Sequence, residues 1–214
     1  MEYILHFGPI NAGKGINNLY LEELDGKPVY HTHLVAQTTG LADKLYKVRD
    51  IYEGYFDPET LLPVKSIRDI NEGKYKKYDE VTYDHTLGKA YSPSGEHDVP
   101  KDIRDMTTAL YYIRSIHFDT LEYGDIIPLN TFFDDELFPF DIRYRGKEKV
   151  KIKGTVYNCI KLVPFVEPGR IFETEDDMTI WISDDPNKIP IRVKFDLVVG
   201  SIKCDIVSYS GLKY

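Results

Sequence analysis

Few residues in this 214-residue chain have a type and spacing that could do chemistry. His31 and His33 stand two apart, which on a strand puts both imidazoles on one face with Val29 and Val35. Two imidazoles make half of a metal site, yet zinc takes three or four protein ligands and no third is close in sequence. The plainer reading is a solvated or hydrogen-bonded pair opposite Tyr30, Leu34 and Ala36. The clusters Asp134-Asp135-Glu136 and Glu173-Thr174-Glu175-Asp176-Asp177 offer oxygens to a cation such as calcium, but neither has the D-x-D-x-D-G spacing of a calcium loop. They read as solvated loop carboxylates, with Asp134-Asp135 turning the chain between two strands. Paired carboxylates also serve glycosidases, where they must face each other across a cleft at a defined separation, and sequence alone does not place them so. There is no G-x-S-x-G or H-E-x-x-H, and Gly13-Lys14-Gly15 lacks the upstream spacing and following Ser or Thr of a phosphate-cradling loop. The expectation is a protein without catalytic residues, metal or cofactor.

A ligand-binding set is more suggestive. Tyr46, Arg49, Arg68, Tyr75 and Glu80 are charged and aromatic residues on successive strands that could meet on one surface. Arg and Tyr hold anionic or amphipathic molecules by directed hydrogen bonds plus apolar area. The alternative is an internal Arg–Glu network that orders the sheet.

These residues depend on strands for their placement, and the dominant pattern is alternation with a period of two between Gly, Pro, Asn and Asp punctuation. Strand segments are expected at Tyr3 to Phe7, Lys14 to Leu24, Val29 to Thr38, Val48 to Phe56, Leu62 to Ile70 and Lys74 to Tyr83, with Asp25-Gly26 as a hairpin turn. Leu41 to Lys47 reads as a helical turn or crossover. The turn-rich stretch Asp84 to Val99 ends at Asp98, a helix N-cap with Pro100 just inside and Asp102 in the first turn. Ile103, Met106, Leu110, Ile113 and His117 then predict one amphipathic helix over about 100–118. Strands resume at Ile126 to Phe133, Leu137 to Arg145, Lys149 to Ile152, Thr155 to Phe165, Met178 to Ser183, Ile189 to Leu197 and Val199 to Tyr209, where Cys204 points to the core. About a dozen strands without long crossover helices exclude a doubly wound parallel fold. The expected class is mainly β: a large curved antiparallel sheet, an open barrel or half-barrel, forming a single domain over 1–214 with the helix against its concave side or across one mouth.

Composition narrows the partners. The hydrophobic fraction of 42%, with 17 Tyr and 10 Phe, fills a core without disulfides or metal. Lys and Arg total 27 against 35 Asp and Glu, a net charge of -8 that repels phosphate backbones and argues against nucleic acid. No apolar run reaches the roughly 18 residues needed to cross a bilayer. Met1 to Asn11 lacks the basic start and apolar stretch of a signal peptide, so an exported form is expected to carry its leader ahead of this sequence. Cys159 and Cys204 lie in strand-like segments and read as two buried thiols or one disulfide.

Several segments are distinctive: Tyr46-Lys47-Val48-Arg49-Asp50, Ile67-Arg68-Asp69 with Glu72-Gly73, Asp105 to Arg114, Thr131 to Glu136, Trp181-Ile182-Ser183-Asp184-Asp185 with Ile189-Pro190, and Val199-Gly200-Ser201. In these the chain resembles the domain-of-unknown-function family numbered 3108. The resemblance implies a bacterial protein, commonly exported to the periplasm or outer envelope, found in Bacteroidetes among other groups, and supplies no catalytic residues.

The leading expectation is a non-enzymatic periplasmic or envelope protein whose curved sheet holds a lipid-like or amphipathic molecule. The alternatives are an interaction module for envelope proteins or polysaccharide, and a glycan-active enzyme. Aromatics around an internal cavity favour the first, and aromatics on a flat outer patch favour the second.

Overall fold

Alternation of apolar and polar side chains along so many short segments leaves little to build except sheet. A computed structural model describes residues 1–169 and 172–213. In chain order the elements are β1 (Glu2–Phe7), β2 (Ile10–Leu24), β3 (Lys27–Thr38), the short helix α1 (Gly40–Leu45), β4 (Arg49–Phe56), β5 (Pro63–Glu72), β6 (Tyr75–Asp84), β7 (Lys89–Ser92) and β8 (Gly95–Asp98). Helix α2 (Met106–Ser115) and a 3-10 turn (Phe118–Thr120) follow. The remainder is β9 (Ile126–Ile127), β10 (Asn130–Phe133), β11 (Glu136–Pro139), β12 (Ile142–Ile152), β13 (Thr155–Pro164), β14 (Met178–Ser183), β15 (Pro190–Asp196) and β16 (Ser201–Ser208). The protein is mainly β and its sheets are antiparallel and open, as the alternation predicts.

The chain forms two compact units, each drawn from more than one stretch of sequence. The first comprises Met1–Gly15, Ile116–Pro128 and Phe140–Tyr214. Its hydrogen-bonded strand order runs from β1 through β16, β15, β14, β13 and β12 to β9. Val150, Ile152, Cys159, Trp181, Ile189, Ile191 and Ile206 make its core, with Tyr3 and Tyr157 packed against them. The polar groups here are paired: the Trp181 indole N–H donates to Glu148, and Arg192 holds Asp205 through two nitrogens, at 2.5 and 2.8 Å. Asp205 is buried, so that pairing keeps a carboxylate satisfied inside the sheet. Cys159 is buried and Cys204 half-buried, and both are free thiols.

The second unit comprises Ile16–Ser115 and Leu129–Pro139. Its order runs from β8 through β7, β6, β5, β4 and β3 to β2, and β10 with β11 form a separate two-stranded sheet. Two of its turns follow from sequence chemistry. Asp25 and Gly26 both have positive φ (52° and 77°), as do Asp134 and Asp135 (51° and 65°), the conformation two-residue hairpin turns require. Tyr83, Ala90, Val99, Ile103 and Phe132 form one apolar cluster, and Phe56 packs against Tyr30 and Tyr111.

Two expectations are corrected. The helix begins at Met106, not near Pro100, and ends at Ser115. Asp98 is not its cap: it lies in β8 opposite Lys89, with which it forms an ion pair at 2.7 Å. Asp105 takes the capping role, accepting from Thr107 N at 2.8 Å and Thr108 N at 3.2 Å. The buried helical face is accordingly Thr108, Ala109, Tyr111 and Ile113, with Met106 exposed and Ile103 buried ahead of the helix. Second, Asp84 to Val99 is not simply turn: Lys89–Ser92 and Gly95–Asp98 pair as a hairpin.

Candidate functional site

Strand parity decides what each face of the second unit presents. Tyr52 on β4 faces Arg68 on β5, which faces Asp79 on β6, so these three share a face. Gly54 lies on that same face, two residues along from Tyr52, and is where α2 is seated. A Cβ on Gly54 would collide with the Thr107 hydroxyl and stand 3.1 Å from Thr32 Cγ2 and 3.3 Å from Thr108 Cγ2. Only a residue without a side chain lets the helix come this close.

Where α2 and the β10–β11 hairpin meet this face they leave a crevice of about 50 Å³. Tyr52, Val81, Tyr83, Met106, Phe132 and Phe133 give it apolar walls, and Arg68, Asp79, Asp105 and Asp134 also border it. Burial lowers the basicity of Arg68, but the Asp134 and Asp79 carboxylates more than offset this and hold the guanidinium above its ordinary value. The same guanidinium lies 4.2 Å from the centre of the Phe133 ring, a cation–π contact across the mouth. Desolvation raises Asp134, and hydrogen bonds from Lys77 (2.7 Å) and Arg68 bring it below the usual carboxylate range. Burial pushes Asp105 up in spite of four donors: the backbone N–H and hydroxyl of both Thr107 and Thr108. Burial, reinforced by Asp50, pushes Tyr52 up to about 12, and Tyr83 is raised by burial while bonding Ser66 at 3.1 Å. Arg68, Asp79 and Asp134 are engaged with one another, and Asp105 is engaged by the start of the helix.

The five residues singled out in the sequence do not converge. Arg68 and Tyr75 lie on the crevice face, since Tyr75, Lys77 and Asp79 alternate together along β6. Glu80 lies on the opposite face, opposite Ile67, and pairs with Lys65 at 2.7 Å. Arg49 is on that opposite face too and binds Asp43 at 2.7 Å and the Val48 and Thr38 carbonyls. Tyr46 packs its ring over Gly73 and donates to the Glu72 carbonyl. Tyr75 stands exposed at the strand end.

His31 lies on the opposite face as part of a polar network. Its ring nitrogens are 3.2 Å from Glu22 and 2.7 Å from Glu53, and it stacks on Tyr55 with centroids 4.1 Å apart. Tyr55, pushed up to about 12 by burial and by Glu53, donates to the same Glu53 oxygen, and Tyr78 donates to Glu80. Among the described residues no three His, Cys, Asp or Glu side chains are arranged to hold a metal ion. The acidic loops are engaged as well: Asp176 pairs with Arg143 and Arg145, and Asp177 accepts from Glu173 N, Thr174 N and the Thr174 hydroxyl.

Asp105, Met106, Phe133 and Asp134 border the crevice, and sequence reasoning did not place them in a binding site: Asp134 was read as a turn residue or cation ligand and Met106 as part of the helix face. Asp105 had a usable signal, since an Asp immediately ahead of a helical stretch fits an N-cap. The meeting of Asp134 with Arg68, 66 residues apart, had none.

An antiparallel β protein with open sheets, one capped helix and a small apolar crevice rimmed by paired charges is the class these features define. The chain belongs to the DUF3108 family of proteins of unknown function, which matches residues 2–207. A solved beta-barrel-like protein with the domain of unknown function DUF1849, from Brucella abortus, is similar over 96% of this chain and 94% of its own, at 11% identity and a TM-score of 0.63. That likeness is one of fold. A DUF1089 family protein from Pseudomonas aeruginosa is similar over 72% of this chain and 89% of its own, at 12% identity and a TM-score of 0.39. No curated protein matches the chain. No helix among the described residues is long and apolar enough to cross a membrane.

Proposed function

We propose that this chain is a non-enzymatic, exported envelope protein that takes the apolar end of an amphipathic molecule into the crevice under α2. The observation that carries this reading is the lining: apolar and aromatic walls, with a charged rim at Arg68, Asp79 and Asp134. A volume of about 50 Å³ is far below the several hundred that enclose a drug-sized ligand, so the crevice grips an alkyl or aryl tip and leaves the rest at the surface. The engagement of Asp79, Asp105 and Asp134 supports a binding role over an acid–base one. The resemblance to exported family members supports the envelope location.

Native mass spectrometry of protein purified gently from its own host tests the reading, with Met106→Glu as the comparison. Met106 is partly exposed at the crevice, so a charge there blocks entry without touching the core. A small molecule retained by the natural protein and lost from the variant is expected. A bare mass for both, together with no competition by medium-chain alkyl probes, would overturn it.

A second reading has its own observation. The opposite face of the sheet carries Tyr20 and Tyr78 exposed beside Glu22, Glu53 and Glu80, aromatic faces with acceptors that suit envelope polysaccharide or a protein partner. Tyr78→Ala lowering retention on a polysaccharide column, with Met106→Glu neutral there, would favour it.

A further inference from the structure

At one end of the first unit two turns lie side by side. β1 ends at Phe7 and returns through Gly8-Pro9 into β2 at Ile10, while β15 ends at Asp196 and returns through residues 197–200 into β16 at Ser201. Phe7 faces Ile202 across the β1–β16 pair, and Gly8 N donates to the Ser201 carbonyl at 3.2 Å, which locks the two turns together. A two-residue turn sets Phe7 and Ile10 opposite each other. Gly200 has φ of +81°, and a Cβ there would stand 3.2 Å from the Phe7 ring, so the second turn is folded down onto that ring.

What these turns present to solvent is unusual for turns. Phe7 is 44% exposed, Ile10 51%, Val198 50% and Val199 76%. Tight turns favour Gly, Asn, Asp and Ser, and β-branched valines at a loop tip neither form the turn nor fill a core. Contiguous exposed apolar side chains on a turn tip mark a surface that meets another phase or partner.

The charges behind the tip say which. On the opposite face Lys203 and Lys194 are in register across β16 and β15, with the His6 ring beside Lys203 on β1. Like charges directly opposite in a sheet are destabilising, so the two lysines work against the pairing that holds them. Lys194 is offset by Asp196 at 2.6 Å and His6 lies 3.8 Å from Asp205, whereas Lys203 forms no ion pair among the described residues. With Lys194 neutralised by Asp196, the basic charge left behind the apolar tip is Lys203, one residue behind Ile202, and this pairing of an apolar front with a cation suits an anionic bilayer surface, whose acyl boundary takes the first and whose headgroups take the second.

We propose that this end of the first unit docks on an anionic lipid bilayer, with Val198, Val199, Phe7 and Ile10 entering the interface and Lys203 against the headgroups. The inference stands on the first unit alone and is independent of the crevice in the second.

Flotation of the full chain with vesicles tests it. Vesicles of phosphatidylglycerol and phosphatidylethanolamine are compared with phosphatidylcholine vesicles at low and high salt. The natural protein is expected to float with the anionic vesicles, about tenfold more weakly with phosphatidylcholine or at high salt. The pair Val198→Asp and Val199→Asp together should weaken flotation at least about tenfold, since it removes two buried aliphatic side chains from the contact. Because both valines are on an exposed turn, an unchanged thermal midpoint shows that the fold persists. In Val199→Trp, emission should shift to the blue on adding anionic vesicles. No flotation of the natural protein, or equal flotation of the double variant, overturns the proposal. So does a concentration-dependent dimer that the double variant abolishes, because a second copy then covers the tip.

Discussion

Replacing Asp105 with alanine removes one acceptor group from four donors at once. Its carboxylate receives Thr107 N at 2.8 Å and Thr108 N at 3.2 Å, both threonine hydroxyls as well, and Thr108 is fully buried. Loss of an N-cap costs about 1 kcal/mol. Each buried donor stranded without an acceptor costs roughly 1–3 kcal/mol, and water at the helix start recovers some of them. A total of about 3 kcal/mol is expected for Asp105→Ala, which for a chain of this size lowers the thermal midpoint by roughly 6–12 °C. Asp105→Asn behaves differently. It keeps an oxygen for the two backbone N–H groups, and its amide can donate to a threonine hydroxyl, so the loss stays within about 1 kcal/mol. The pH dependence separates the two causes. Burial raises Asp105 above its ordinary 3.8, so the folded state holds its proton more tightly than the unfolded chain. The stability this adds is fully present below the ordinary carboxylate value and is lost as the pH rises through the higher folded-state value. The difference in unfolding free energy between the natural protein and Asp105→Asn, from urea titrations at a series of pH values, should therefore shift toward the asparagine variant across that window. Equal destabilisation by Asn and Ala, or an alanine effect under about 0.5 kcal/mol, would refute the assignment of Asp105 as the anchor of α2.

Burial pushes Cys159 and Cys204 up to about 11, so neither is a thiolate near neutrality; a thiol reagent at pH 7.5 should label the folded protein slowly and both sites quickly in urea, and fast native labelling would count against the placement. Arg68→Ala leaves Asp79 and Asp134 facing each other with only Lys77 between them and should cost about 1–3 kcal/mol in urea unfolding, whereas Arg49→Ala, with a 38% exposed side chain and a screened partner, should cost less than about 1 kcal/mol. Calorimetry tests the expectation of one domain over 1–214: a single transition with equal calorimetric and van't Hoff enthalpies is expected, and two resolved transitions refute it.

The strands were legible because each buries one side, which writes a two-residue period that needs no knowledge of partners. Asp25-Gly26 and Asp134-Asp135 were legible as turns for the same local reason, since short polar side chains and glycine tolerate positive φ. The helix start was misread because Asp98 and Pro100 look like a cap from their own chemistry, while a pairing with Lys89 across a hairpin claims Asp98 first. That hairpin was hidden by Gly88, Pro93 and Gly95, whose turn signals outweighed two four-residue strands. The candidate site failed on register. Once Glu72 is set opposite Tyr75, Arg68 must face Asp79, and Glu80 must point away from both. A turn placed one residue differently reverses that outcome. Contacts such as Arg68 with Asp134 or Trp181 with Glu148 join residues far apart in the chain and leave no local trace.

Gly54 has a consequence for how the second unit assembles. The bare patch it leaves on β4 is bounded by Thr32 of the next strand, so the helix has a landing place only after β3 and β4 have zipped together. Ten residues of helix are marginal on their own in water. The order of α2 thus depends on the strand floor beneath it, and a bulkier residue at position 54 would lift the helix from that floor.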